Sequence, residues 1–592
     1  MTMRIANCSG FLGDRKTAAL EMVKGGPIDY LTGDWLAELT MSILAKQRGR
    51  DPEAGYPQSF IEQMSDVMAT CQERGITIIA NAGGVNPHGC AEAVRAIATE
   101  QGLTLTVAVV DGDDITQEFA ARQEHGWPAA HLDTGAPFAD TGLTPSVVNV
   151  YLGCWGIVEA IRAGADVVIT GRVSDASPIV AAAATHYGWS PHDLDRLAGA
   201  VVAGHVIECS AQATGGNFSF FAENCRGNHP GFPIVEIEPD GSVVITKHAG
   251  TNGMVTVETV TAQLLYEIDG PRYANPDVIA RLDHLVVEQV GSDRVRMSGA
   301  RGEQIPPTLK AGIVADYGWS AEMTMLLTGL DRDQKVDYAL AQLWAEFSGG
   351  RESFEDVSIN VIGGDKDNPG SLDEATGLLR IAVADHDKGL VSRFSRVVVE
   401  LILGGYPGMA LTSPPARPRQ RQLFWPTLIP AEWVNERVTV NDRTWTVSRA
   451  QPEVALDIPL KQLTTPGAAS NPVELLRAPL GRIVGSRSGD KGGNATLGIW
   501  ARTDAAYEFL YEWWTPEHVS ALLGASPDVT LRLWHLPNLR ALGATVVGWL
   551  GKGTATNTLL DTQAKGLGEF VRARHIEMPK VLLESAESAQ LE

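Results

Sequence analysis

Asp175 is the residue of this chain best suited to move a proton. It belongs to the group Arg172, Ser174, Asp175 and Ser177, which follows an apolar strand pattern at 165–170 and is the densest polar group on any turn in the first third of the sequence. A carboxylate there is a candidate general base whose pKa would rise in a water-poor crevice, and the planar guanidinium of Arg172 suits a carboxylate or phosphate. His88 is the second candidate. It stands just before a helical pattern, where the positive end of the helix dipole disfavours imidazolium and leaves a neutral ring able to act as base or donor. Structural roles compete for the same residues: Ser174 or Ser177 as a helix cap, and His88 as the cap of its turn.

Candidate binding residues surround these two. Asn7, Ser9, Gly10 and Asp14 form one turn, and Asn81, Gly83 and Gly84 form another, ahead of His88. With 171–177 they make three places where a strand ends and a helix begins. In an open parallel sheet such ends share one edge, where unpaired helix amides favour anions, so all three are expected to line one crevice and to stabilise an oxyanion together with Arg172. Thr214, Gly215, Gly216 and Asn217, then Thr251 and Asn252, form further glycine-centred polar loops. Arg487, Ser488, Asp490 and Lys491 form another between two expected strands. Turn chemistry alone would also account for these.

Glycine spacing at 83–89 misses the G-x-G-x-x-G fingerprint, although Asp111 lies 22 residues after Gly89, about where a ribose-binding acid would stand. There is no G-x-S-x-G elbow, H-E-x-x-H, Walker loop or paired metal-ligand spacing. No metal and no bound cofactor are therefore expected; coenzyme A would enter only as part of a substrate.

The elements that must hold these residues follow from periodicity. Helical patterns cover 16–24, 34–46, 60–73, 90–101, 147–163, 178–186 and 193–204, and strand patterns cover 4–8, 29–32, 76–80, 103–110 and 165–170. Residues 75–110 read as a right-handed parallel crossover. From 232 the texture alternates, with a hairpin about Asp240-Gly241. Prolines crowd 404–430, which reads as an irregular segment, and 451–478, which reads as a linker. The remainder reads as strands at 482–485, 495–501, 529–536 and 544–550 and helices at 504–523 and 560–572, compatible with a ferredoxin-like sandwich. The expected class is α/β: a layered, mostly parallel sheet over 1–230 with an α+β elaboration over 231–450, the linker, then a small ferredoxin-like α+β domain over 479–592.

At 592 residues the chain is too long for one core. Its charge of −23, from 48 basic and 71 acidic residues, argues against nucleic acid or an anionic membrane surface, while leaving room for a small anionic substrate held by local donors. Six cysteines without a C-x-x-C pair, no apolar leader and no run long enough to span a bilayer point to a reduced cytoplasmic setting. A homo-oligomer is expected from the size and the small appended domain.

The runs Ile5-Ala6-Asn7-Cys8-Ser9-Gly10-Phe11-Leu12-Gly13-Asp14-Arg15, Asn81-Ala82-Gly83-Gly84-Val85-Asn86-Pro87, Thr170-Gly171-Arg172-Val173-Ser174-Asp175-Ala176-Ser177 and Ser486-Arg487-Ser488-Gly489-Asp490-Lys491-Gly492 together resemble the acyclic terpene utilisation (AtuA) family, across nearly the whole chain. The resemblance implies a large N-terminal AtuA domain, a small ferredoxin-fold domain, and a place in catabolism of acyclic or branched terpenoid acids through coenzyme A thioesters. It leaves the reaction open. A lyase, hydratase or thioester hydrolase without a redox cofactor is the leading expectation; the alternatives are a non-catalytic ligand-binding or assembly subunit and, more weakly, an NAD(P)-linked oxidoreductase.

Overall fold

A computed structural model describes residues 2–224, 227, 229–448, 474–526 and 529–589. Five short strands run parallel at its centre: β1 (Met3–Asn7), β2 (Tyr30–Gly33), β3 (Thr77–Ala80), β4 (Val107–Asp111) and β6 (Val167–Thr170), in spatial order β1-β2-β3-β6-β4; β5 (Pro145–Val150) joins another sheet. They are buried on both faces. Alternation sends Ile5, Ile79, Val168 and Val110 into one apolar layer, and Ala6, Ile78, Ile169 and Val109 into the other.

The sheet is mixed, which corrects the expectation of a mostly parallel one. Beyond β1 it continues antiparallel through β7 (Pro233–Ile237), β8 (Val243–Lys247), Arg294–Ser298 and Val286–Gly291, and beyond β4 through Arg437–Val440 and Arg443–Thr446. Of its eleven strands only the central five are mutually parallel. The chain achieves this by folding hairpins of the later segment, including the Asp240-Gly241 hairpin, onto both edges of the parallel core.

Two other expectations fail for local reasons. The single helix over 147–163 is instead β5 followed by helix Trp155–Arg162. Val147, Val148 and Val150 are β-branched, and Gly153 sits where a Cβ would lie 2.3 Å from Asp277 Oδ1, so the chain bends there. The proline-crowded segment contains the strand Arg419–Pro430, the edge of a second sheet built around the 21-residue strand Thr308–Thr328; an edge position tolerates the missing N–H of Pro426.

In the C-terminal region, Val484–Lys491, Asn494–Ala501, Ala541–Val547 and Thr530–Leu536 form a four-stranded antiparallel sheet in that spatial order. The expected helix over 504–523 is two helices, because Thr515 caps a new helix with Pro516 in its first turn. One face of this sheet packs on its own helices through Leu497, Ile499, Leu542 and Ala544. The other meets the large domain, where Gly498 lies against Leu265 and Gly489 against Tyr266. Most of the predicted linker lies outside the described residues; Leu475–Pro479 is a strand. Among the described residues, no helix is long and apolar enough to cross a membrane.

Candidate functional site

The carboxyl ends of the parallel strands are stitched together by polar side chains and backbone. Asp34, directly after β2, donates its N–H to Ser9 O at 2.9 Å. Its Oδ1 accepts from Asn81 Nδ2 at 2.6 Å and from Leu36 N at 2.9 Å, while Asn81 Oδ1 accepts from Trp35 N at 2.8 Å. Gly83 N donates to Thr170 O at 2.8 Å, which ties β3 to β6. Gly10 presses against the Cys209–Ser210 peptide, 2.9 Å from where a Cβ would stand, and Asn7 Nδ2 reaches Glu208 O at 3.4 Å. The turns after β1, β2, β3 and β6 and the segment at Glu208 thus share one neighbourhood.

Its centre is a group of acids around one guanidinium. Arg172 is 5% exposed, and its Nη1 donates to Asp175 Oδ1 at 2.7 Å and to Val173 O at 3.0 Å. Its guanidinium lies 4.3 Å from the Tyr151 ring centre, with the Lys310 ammonium 4.6 Å from the same centre. Burial pushes the Asp34 carboxyl up to about 7, and the charge of Asp175 adds to that push against the opposing effects of Arg172 and Asn81. Burial, then Asp175 and Asp34, hold Glu208 well above the ordinary carboxylate range. Asp175 goes the other way: burial would raise it, but Arg172, Lys310 and Lys491 together keep it below the usual range. At neutral pH the cluster contains an ionised Asp175, a Glu208 that holds its proton, and an Asp34 close to its midpoint, present in both forms.

Three non-glycine residues at the surrounding turns take left-handed backbone: Ser210 (φ 61°), Asn217 (φ 54°) and Glu267 (φ 58°). Such conformations cost roughly 1–3 kcal/mol each and persist where surrounding contacts enforce them. The C-terminal sheet supplies two of those contacts. Arg487 Nη1 donates to Asn217 O at 3.3 Å, and Lys491 Nζ donates to Glu267 O at 2.7 Å. Strand alternation explains the choice: Arg487, Gly489 and Lys491 face Tyr266 and Glu267, whereas Ser488 points into its own domain and bonds Ala564 O at 2.7 Å. The stretch expected as a polar loop is therefore strand through Lys491, turning at Gly492-Gly493. Asp490 lies 3.4 Å from Lys565 Nζ.

The structure distributes the other sequence-derived residues as follows. Asp14 closes its own turn, accepting from Gly10 N and Arg15 N. The backbone amides of Ser9, Gly10, Gly83, Arg172, Ser174 and Ser177 already have protein partners, so side chains rather than helix amides are available to a ligand here. Gly84 has φ 56° and a Cβ there would meet Gly55 O at 2.3 Å, a packing requirement. His88 stands apart from the acid cluster: half-exposed, it bonds Asp111 Oδ2 at 2.7 Å, and Arg437 holds the other oxygen. Ser174 caps no helix; it donates to Asn275 Oδ1 at 2.6 Å, and Ser177 Oγ is buried without a partner among the described residues. Thr214, Gly215, Gly216, Thr251 and Asn252 pack a neighbouring turn, where Thr214 donates to Gly231 O at 2.6 Å and Asn252 N to His229 O. A cavity of about 230 Å³ between the domains is lined by Glu258, Trp500, Arg502 and Arg540, and not by Asp34, Asp175 or Glu208. No three His, Cys, Asp or Glu among the described residues are placed to hold a metal ion.

The family model for the acyclic terpene utilisation protein AtuA matches residues 3–440. The chain belongs to the AtuA family. A second model, the AtuA ferredoxin-like domain, matches residues 478–577, so the AtuA chain has a ferredoxin-like domain appended to its mixed α/β portion. No curated protein matches it. Sequence reasoning did not single out Asp34, Tyr151, His205, Tyr273 or Lys310, and it met Glu208 only as part of a turn. Asp34 had a usable signal, since Thr32-Gly33-Asp34 is a fourth strand end of the same kind; Tyr273 and Lys310 arrive from distant segments with none.

Proposed function

We propose that this AtuA-family chain is an enzyme of acyclic terpenoid or branched-chain acid catabolism that acts on an acyl-CoA or carboxylic acid by acid–base chemistry, as a lyase, hydratase or thioester hydrolase without a redox cofactor. The observation carrying the reading is that one neighbourhood collects Asp34, Glu208 and the Arg172–Asp175 pair, where Arg172 favours an ionised Asp175 and burial favours the protonated forms of Asp34 and Glu208. Neighbouring carboxyl environments pushed apart in this way supply a base and an acid together. In the reaction Asp175 takes a proton from the carbon beside the carbonyl, the C–H electron pair moves toward the carbonyl oxygen, and protonated Asp34 or Glu208 donates to that oxygen. A substrate oxygen that engages Arg172 competes with Asp175 for the guanidinium and so raises the base's proton affinity when substrate is present. Arg172, Lys310 and Lys491 supply local positive charge within a chain of net charge −23, which favours a small anionic substrate over nucleic acid or membrane. Coenzyme A belongs to the substrate in this reading, and the protein is a cytoplasmic homo-oligomer.

The test incubates pure protein with a panel of branched acyl-CoA esters and free acids, read by mass spectrometry and thermal shift. Turnover by the wild type that falls at least about 10²-fold in Asp175→Asn, with folding intact, supports the assignment. Retained turnover removes Asp175 from the mechanism, and binding without turnover replaces the enzyme reading with a ligand-binding one.

A further inference from the structure

We propose that the Tyr273 hydroxyl is a further catalytic group of this site, the donor that meets the substrate oxygen on which charge develops as Asp175 takes the proton. The inference rests on the acid–base reading above and adds a residue to it.

Tyr273 lies on the short strand Arg272–Ala274, far in sequence from the parallel core. Its position relative to the cluster is fixed on both sides. Asn275, two residues on, accepts the Ser174 hydroxyl at 2.6 Å and so pins this strand to the turn that carries Arg172 and Asp175. Asp277 accepts from Cys154 N at 2.9 Å, and Arg272 Nε pairs with Glu303 at 3.0 Å. The ring packs against the imidazole of His205, 4.7 Å between centres and tilted by 51°; His205 is itself 3% exposed. Yet no hydrogen bond to the Tyr273 hydroxyl occurs among the described residues, whereas Tyr187, Tyr317 and Tyr406 each donate to a carbonyl or carboxylate at 2.5–2.7 Å. A part-buried phenol held by its ring and its strand, with no protein partner for its hydroxyl among the described residues, keeps a donor for a ligand.

Its protonation suits the role. Burial, reinforced by the negative charge of Asp175, keeps the hydroxyl proton on well above the ordinary phenol range. Burial likewise lowers His205 to about 4, with the Lys491 charge adding to the effect, so the imidazole behind the ring is neutral. In the proposed step the proton leaves carbon for Asp175, the carbonyl π pair collects on oxygen, and Tyr273 donates a hydrogen bond to that oxygen without giving up its proton, so charge and atoms balance within substrate and Asp175.

Tyr273→Phe keeps the ring on His205 and deletes only the donor. Two probes test it by calorimetry: isovalerohydroxamic acid, whose ionised form is an enolate-like oxygen anion, and isovalerate, a carboxylate anion that does not mimic an enolate. The variant is expected to bind the hydroxamate about 10²-fold more weakly than the wild type and isovalerate within threefold. Equal binding of the hydroxamate by both proteins, an equal loss for both probes, or no binding of either probe by the wild type overturns the proposal. With any ester the wild type turns over, kcat is expected to fall about 10²- to 10³-fold with KM within threefold; an unchanged kcat also overturns it. Turnover that survives Asp175→Asn sinks the acid–base reading by itself, whatever the hydroxamate titration gives.

Discussion

Asp34→Asn separates what Asp34 does for stability from what it does for chemistry. Asparagine keeps the Oδ1 acceptor that Asn81 and Leu36 use, and loses the ability to ionise. The wild-type carboxyl is raised from 3.8 to about 7. A raised acid stabilises the fold fully below its unfolded pKa, near 4, and that contribution is lost as pH rises through the folded pKa, near 7. A shift of about 3 units corresponds to roughly 4 kcal/mol, an upper bound for a group whose neighbours titrate with it. For a domain the length of residues 3–440, about 1 kcal/mol moves the thermal midpoint by roughly 1 °C. Part of that loss is complete by pH 5, so relative to wild type Asp34→Asn should gain roughly 1–3 °C between pH 5 and pH 8, measured by calorimetry at matched ionic strength, while turnover falls at least tenfold. A difference in midpoint that stays flat across this range would show that Asp34 ionises normally, and the acid role assigned to it would be wrong.

Arg172→Met should cost about 2–3 kcal/mol at pH 7, less than for a fully buried pair because the Asp175 side chain is 34% exposed, and Arg172→Met/Asp175→Asn should recover most of it in denaturant titrations. Without Arg172, burial raises the Asp175 carboxyl, so the cost should shrink as pH falls toward 4 and Asp175 of the variant takes up a proton that the wild-type group does not. His88→Ala breaks an exposed contact and leaves Asp111 paired with Arg437, so stability should change by no more than about 1 kcal/mol and turnover should stay within twofold; a large drop in turnover would return His88 to the chemistry.

What the sequence made legible follows the reach of its signals. The three turns at 7–14, 81–89 and 171–177 were readable because each is local: an apolar strand, a small polar turn, a helix, all within about fifteen residues. That locality delivered Asn81, Arg172 and Asp175, and it misassigned their purpose where partners come from elsewhere. The Ser174 hydroxyl bonds Asn275 a hundred and one residues away instead of capping its helix. The amides of Arg172 and Gly83 looked available to an anion because their acceptors, Asp113 Oδ2 and Thr170 O, come from distant parts of the sequence. Sheet direction at the edges was hidden for the same reason, since β7 pairs with β1 across more than two hundred residues and nothing in either strand announces the partner. The protonation split depends on burial together with three acids and a guanidinium drawn from positions 34, 172, 175 and 208, so no motif could display it. Lys491 extends the point to the second domain: its strand register turns it toward Glu267, and its charge reaches Asp175, so the chemistry of the large domain depends in part on how the small one is seated.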